Sequence, residues 1–204
     1  RTETLETMFG VATRKDGTIK LDGKVCKNLT PRQSIRNHFA LLTEERRATG
    51  IFGILDIREN SVISSLDRHK RAGFILSDKS MRKDTQWSID AMHTKTPTQE
   101  TKIRSLSGGN QQKVILAREL ESDPVLLVAA HPTRGLDIGA TSFIHDQMIA
   151  ARDRGVGILL ISADFDEILE MSDRILVCFE GQIMGEYSGK NPPIEEISLA
   201  MTGK

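Results

Sequence analysis

The segment Leu106–Lys113, LSGGNQQK, places a serine and two glycines directly before an apolar pattern typical of a helix. Glycine lets a backbone amide approach an anion because it has no Cβ. Ser107 adds a hydroxyl donor, and the positive end of the following helix points at the same place. A Ser-Gly-Gly loop can also do no more than cap a helix. The full eight-residue order, ahead of a helix and then a strand, instead favours a site for a terminal phosphate.

The elements that follow this segment alternate between helix and strand patterns. Apolar spacing predicts a helix through Lys113–Leu120, a buried strand Val125–Ala130, a helix Thr141–Arg152, a strand Ile158–Ser162 and a helix Phe165–Met171. Such alternation predicts an α/β fold with a parallel sheet and crossover helices.

Antiparallel hairpins are predicted near both ends of the chain. Residues 18–26 read TIKLDGKVC, two alternating runs around Asp22-Gly23. ILVCF and QIMGEY form a second such pair around Glu180-Gly181. The remaining predictions are helices at Thr2–Phe9, Pro31–Asn37 and Pro193–Met201 and a strand at Phe39–Thr43.

Residues from about 56 to 104 are polar, helix-prone and without a strand pattern, which predicts an inserted helical subdomain. Its run Arg68–Arg71, RHKR, is interpreted as a solvated face. We therefore expect a core made of residues 1–55 and 105–190, a helical subdomain at 56–104 and a C-terminal helix in 191–204.

Bulk composition excludes several classes of protein. The 204 residues carry 28 basic and 28 acidic side chains, so no net field draws the chain to nucleic acid or anionic lipid. The longest apolar runs are far shorter than the roughly 20 residues that span a bilayer. Cys26 and Cys178 lack metal-ligand spacing and are interpreted as reduced, small buried residues of a cytosolic chain. The chain starts at Arg1 within a helix pattern, so we expect a fragment.

The Leu106–Lys113 segment resembles the signature loop of ATP-binding-cassette (ABC) proteins, in the form found in the second cassette of carbohydrate importers with tandem cassettes. Thr43–Phe52 resembles the Q-loop segment, His131–Ala140 the stretch from the end of Walker B through the D-loop, and Asp166–Val177 the elements after the switch histidine. Up to about Arg118 the chain is most similar to galactose/methyl galactoside importer subunits. Beyond it, the chain is more similar to importers of nucleosides or other simple sugars.

The resemblance implies a P-loop NTPase core and a site shared between two cassettes, which sandwich ATP head to tail. Ser107, Gly108, Gly109 and Gln111 would contact the nucleotide held by the partner cassette, and Asp137 of the D-loop would face that partner. The implied cofactors are ATP and Mg²⁺. The implied partners are a second cassette, transmembrane permease subunits and, indirectly, a sugar-binding protein, at the cytoplasmic face of the membrane.

The chain departs from the family at the positions that hydrolyse ATP. Arg1 and Thr2 would be the last residues of Walker A, with Arg in place of Lys, and Thr2 would ligate Mg²⁺ only in a complete loop. The Q-loop glutamine, the Walker B Asp and Glu and the switch histidine correspond to Glu44, Ala130, His131 and Ala163. His131 is interpreted as a polar residue at a strand end rather than a replacement base. The resemblance therefore implies that the acceptor half of the site is degenerate and the donor half is retained.

Three functions stay open at this point. The first is the second cassette of a sugar importer. The second is a regulatory or DNA-associated module. The sequence has no basic stripe interleaved with aromatic residues, which argues against this second function. The third is a structural fragment with no activity of its own.

Overall fold

The computed structural model describes residues 2–21, 23–27, 30–71 and 73–203. Arg1 of the expected Walker A remnant and Asp22 of the first predicted turn lie outside the described residues. The chain divides into two compact units, Thr2–Leu159 and Leu160–Lys204, and each is described by itself.

The larger unit contains the predicted phosphate segment and most of the helices. Its elements are α1 (Thr2–Phe9), β1 (Ile19–Leu21), β2 (Lys24–Cys26), α2 (Pro31–Arg36), β3 (Phe39–Leu42), α3 (Ile57–Val62), β4 (Lys70–Arg71), β5 (Ile75–Leu76), α4 (Asp78–Ala91), α5 (Gly108–Glu121), β6 (Leu126–Ala130) and α6 (Ile138–Asp153). A π-helical turn covers Arg46–Gly50, and 3-10 turns cover Ile63–His69 and Ile103–Ser105. The strand β7 (Gly157–Ile161) spans the point at which the units divide.

A three-stranded sheet of order β3-β6-β7 forms the centre of this unit. β3 and β6 run parallel, in a register that pairs Phe39 with Leu126 and Leu42 with Ala129. The last four residues of β6 are buried, as expected for a parallel strand covered on both faces. α5 packs against β3, α3 and α6. The predicted α/β class with a parallel sheet is confirmed, and so is the hairpin of β1 and β2, which pairs Ile19 with Cys26.

The expectation that residues 56–104 contain no strand is wrong. β4 and β5 form an antiparallel pair there, joined around Gly73 with a φ of 83°. Two-residue strands are too short to produce an alternating pattern, which explains why the sequence did not reveal them. The run Arg68–Arg71 is also not a uniformly solvated face, because His69 is 1% exposed and its Nδ1 lies 3.0 Å from the Ser80 hydroxyl. The division into core and subdomain stays a prediction.

The smaller unit contains α7 (Phe165–Met171), β8 (Arg174–Phe179), β9 (Gln182–Ser188) and α8 (Ile194–Ala200). The predicted hairpin of β8 and β9 is confirmed. Its core consists of Ile175, Val177, Ile197 and Ala200. Across the part of the chain that the structure describes, no helix combines the length and apolar character that a membrane crossing requires.

Candidate functional site

The predicted phosphate segment lies at the start of α5, with Ser107 as the N-cap residue. Ser107 has extended backbone angles, and its Oγ accepts from the backbone N–H of Asn110 at 3.4 Å and from the Asn110 side-chain amide at 2.9 Å. Leu106 is buried and fixes the loop from the core side, while Ser107 is exposed. The loop thus presents a hydroxyl at the positive end of a 14-residue helix.

Both glycines of the segment make close contacts within the chain. A Cβ on Gly109 would lie 2.8 Å from the Cβ of Ala140, in the first turn of α6. A Cβ on Gly108 would lie 2.9 Å from Nη2 of Arg46. The absence of a side chain at Gly109 therefore serves the packing of α5 against α6, whereas Gly108 faces the movable end of Arg46.

Gln111 is placed differently from the expectation that it contacts nucleotide. Its side chain is fully buried, and its Nε2 donates to the carbonyls of Ile103 at 3.2 Å and Leu106 at 3.0 Å. Gln111 therefore holds the signature loop in place from the inside. No periodicity in the sequence distinguishes this buried amide from an exposed one.

Asp137, the expected D-loop residue, is the N-cap of α6. Its Oδ1 accepts from the backbone N–H of Ala140 at 2.9 Å, and its Oδ2 lies 3.9 Å from the position of a Cβ on Gly109. The structure thus brings the signature loop and Asp137 together on one surface. Its contact with a partner cassette stays a prediction.

The expected remnant of the acceptor half lies in a cavity of about 390 Å³ between α1, β3 and α5. Thr2, Glu44 and Ala130 all line it, beside apolar residues such as Leu5 and Phe9. The signature residues do not line this cavity. The signature loop and this cavity are therefore separate surfaces, and their assignment to a donor half and an acceptor half stays a prediction.

Glu44 is held by two donors within this part of the structure. The Thr2 hydroxyl donates to Oε2 at 3.0 Å, and Nη1 of Arg134 donates to Oε1 at 2.8 Å. Sequence reasoning missed Arg134, since it lies 90 residues from Glu44. The glutamate at the Q-loop position is thus paired with a cation of its own chain.

Two of the expected site positions in this cavity, Glu44 and Ala130, offer no free carboxylate to a Mg²⁺ ion. Mg²⁺ prefers carboxylate and water oxygens in octahedral geometry. The end of β6 offers the methyl group of Ala130, which is 3% exposed, and the Glu44 carboxylate is taken up by Thr2 and Arg134. Among residues 2–21, 23–27, 30–71 and 73–203, no group of three or more His, Cys, Asp or Glu side chains could hold a metal ion.

The structure also places His131 and Ala163, the residues expected at the Walker B and switch positions. His131 adopts a left-handed backbone with a φ of 48° and is half-buried at the turn after β6. Ala163 lies between β7 and α7 in the smaller unit, and its methyl group cannot hydrogen-bond a phosphate.

Solved structures show the same fold at low sequence identity. A nucleotide-free ATP-binding cassette from an ABC transporter matches with a TM-score of 0.78 and 20% identity, over 98% of this chain and 79% of that one. A dimeric cassette in a post-hydrolysis state, bound to ADP and Pi, matches with a TM-score of 0.74 and 20% identity, over 91% and 78%.

Curated relatives match at much higher identity. The galactose/methyl galactoside import ATP-binding protein MglA of Fusobacterium nucleatum is 48% identical over 197 residues, which are 97% of this chain and 39% of the relative. The protein of that name from Vibrio vulnificus is 46% identical over the same shares. The chain thus spans about two fifths of the length of these relatives. The family described as ABC transporter matches residues 1–134. With the fold, the signature loop and these relatives in agreement, the chain belongs to the ABC transporter family.

Proposed function

We propose that this chain is the second nucleotide-binding cassette of a sugar importer and that it contributes its signature loop to ATP held by a partner cassette. The observation that carries the proposal is the exposed Ser107 at the N-terminus of α5, away from the cavity that contains Thr2, Glu44 and Ala130. The names of the relatives support galactose or methyl galactoside as the cargo. A nucleoside importer is the alternative for the substrate.

The chain's own acceptor site is degenerate in this proposal. Ala130 supplies no side-chain oxygen for Mg²⁺, and the ion pair between Glu44 and Arg134 engages the carboxylate that accepts from the Thr2 hydroxyl. ATP and Mg²⁺ therefore belong to the Walker site of the partner cassette, where the metal neutralises phosphate charge. The role of this chain is to complete that site with a hydroxyl, backbone amides and a helix dipole.

The partners follow from the same assignment. A permease in the membrane converts closure of the two cassettes into transport, and a sugar-binding protein delivers the cargo. The chain acts at the cytoplasmic face of the membrane. We expect no nucleic-acid partner, because the 28 basic and 28 acidic side chains leave no net positive charge to attract phosphates.

The test compares the chain alone with a tandem protein in which it follows a cassette with an intact Walker A. The chain alone should show no Mg²⁺-dependent ATP hydrolysis above background. In the tandem protein, Ser107→Arg should reduce ATP hydrolysis and transport by about tenfold to a hundredfold, because a hydrogen bond to a charged group contributes about 1.5–3 kcal/mol.

Two controls make this result specific to the signature loop. Ser105→Arg introduces the same side chain at an exposed serine just outside α5 and should leave activity unchanged. His131→Ala should also have little effect. If His131→Ala abolishes hydrolysis and Ser107→Arg is silent, the active site lies on this chain's own face and the proposal is wrong.

A further inference from the structure

Arg46 lies against the signature loop although it is far from it in sequence. It begins the π-helical turn that follows β3, and its side chain passes the buried Gly50, whose Cβ position is 3.9 Å from Arg46 Cγ. Its Nη2 ends 2.9 Å from the Cβ position of Gly108, the first residue of α5. The guanidinium group therefore lies at the N-terminus of the signature helix.

No described acidic side chain forms an ion pair with this cation, and Asp137, the carboxylate on the same surface, caps α6 instead. The Arg46 side chain makes no hydrogen bond or ion pair with any described residue, and its Nε is buried without a partner. The nearest acidic side chains in sequence, Glu44 and Glu45, face Arg134 instead, with oxygens 2.8 and 3.9 Å from its Nη1. Burial, together with the charge of Arg47, holds the pKa of Arg46 below its usual range.

The helix terminus adds to the cost of this arrangement. The N-terminus of an α-helix carries about half a positive charge, which repels a cation and attracts an anion. Arg46 is thus unpaired, partly desolvated and next to a positive dipole end. An anion between the guanidinium group and the first amides of α5 would pair with the cation, replace its lost hydration and face the positive end of the helix. Arginine pairs with phosphate through parallel hydrogen bonds.

We propose that Arg46 is a nucleotide-binding residue of the signature site, which acts with Ser107 on the terminal phosphate of the ATP held by the partner cassette. The inference rests on the proposed function, because it requires that a phosphate reaches this loop from another cassette. It adds a charged ligand that the signature sequence does not contain.

The test uses the tandem protein and measures kcat and KM for ATP. Arg46→Met should lower kcat/KM by about tenfold to a hundredfold, as expected for the loss of a charge-assisted hydrogen bond. Arg46→Lys should retain an activity between those of Arg46→Met and the unmodified protein, because it keeps the charge without the planar donors. Arg47→Met is the matched control and should stay within about twofold, since Arg47 is exposed in the same turn and has no contact with Gly108.

Two further measurements distinguish a role of Arg46 in nucleotide binding from a role in the stability of the chain. ADP affinity should not change in Arg46→Met, because ADP lacks the terminal phosphate. The melting temperature should stay equal or rise, since an unpaired, partly buried cation has been removed. A fall of more than about 4 °C would assign Arg46 a structural role and overturn the inference.

The outcomes also distinguish this inference from the proposed function. If Ser107→Arg inactivates and Arg46→Met is silent, the signature loop acts in trans and Arg46 is not a ligand. If both are silent, the proposed function fails and the inference fails with it.

Discussion

Two adjacent glycine-to-alanine substitutions should have opposite effects on stability. The Cβ of Gly109→Ala would lie 2.8 Å from the Ala140 Cβ, whereas carbon atoms pack best at about 3.5–4.0 Å. α5 and α6 would have to separate by roughly 1 Å, and overpacking of this kind costs about 1–3 kcal/mol. The higher helix propensity of alanine than of glycine adds at most about 1 kcal/mol to the free energy of unfolding.

The Cβ of Gly108→Ala would lie beside a different residue. It would approach the far end of Arg46, a flexible side chain that can move aside. The propensity gain then dominates, and the variant should match or exceed the native protein by up to about 1 kcal/mol. The overpacking cost in Gly109→Ala less this gain leaves a net loss of about 0–3 kcal/mol. For a chain of this size 1 kcal/mol corresponds to about 2–4 °C in melting temperature, so Gly109→Ala should melt up to about 12 °C lower than the native chain.

Urea and thermal unfolding of the purified variants measure this difference. Ala140→Gly removes the opposing methyl group, so the double variant of Gly109→Ala and Ala140→Gly should be more stable than the sum of the single changes predicts. The coupling free energy that a double-mutant cycle measures between residues in contact is about 0.5–3 kcal/mol. A Gly109→Ala variant more stable than the native chain, or a larger loss in Gly108→Ala than in Gly109→Ala, would refute the close approach of α5 and α6.

The remaining predictions concern a cap, a buried carboxylate and the two thiols. Asp56→Ala should destabilise the chain to urea by about 0.5–2 kcal/mol, because the Asp56 side chain accepts from the Glu59 N–H at 2.8 Å in a capping box. Burial raises the pKa of Glu121, so the native state binds this proton more tightly than the unfolded chain and loses stability as pH rises above 4.5. Glu121→Gln should therefore stabilise the chain at pH 7 and give no gain below pH 4.5, in unfolding curves recorded across pH. Cys178 is exposed and Cys26 half-buried, so a polar thiol reagent should label Cys178 first, as followed by mass spectrometry.

Elements with a complete local pattern could be predicted to the residue. α1 and α7 have the predicted bounds Thr2–Phe9 and Phe165–Met171. In α7 the reason is local, since the Asp164 side chain accepts from the first backbone N–H groups of the helix. β6 differs by one residue at its start, because a continuous apolar run identifies a buried strand but not its first hydrogen bond.

Features that depend on distant residues could not be predicted. The pair of Arg134 and Glu44 and the contact of Arg46 with Gly108 join residues that only the folded sheet brings together. Gln111 is polar and lies next to polar residues, yet the fold buries it under the 3-10 turn at Ile103–Ser105. The spacing of residues along the sequence shows only local periodicity. It does not show which distant residues come into contact in the folded chain.

The signature loop and the end of β6 differ in how their side chains affect the stability of the folded chain. Ala130 is 3% exposed at the end of β6, where a carboxylate would lose its hydration and, without a bound metal, would have no compensating charge. An apolar residue there lowers the free energy of the folded chain. The signature loop behaves in the opposite way, since Ser107 caps α5, Gly109 allows α6 to pack and Gln111 ties the loop to buried carbonyls. Replacing any of these would destabilise the chain even if no nucleotide ever bound. In the proposed function, the fold itself therefore stabilises the signature loop, whereas a carboxylate at position 130 would need a bound metal to stabilise it.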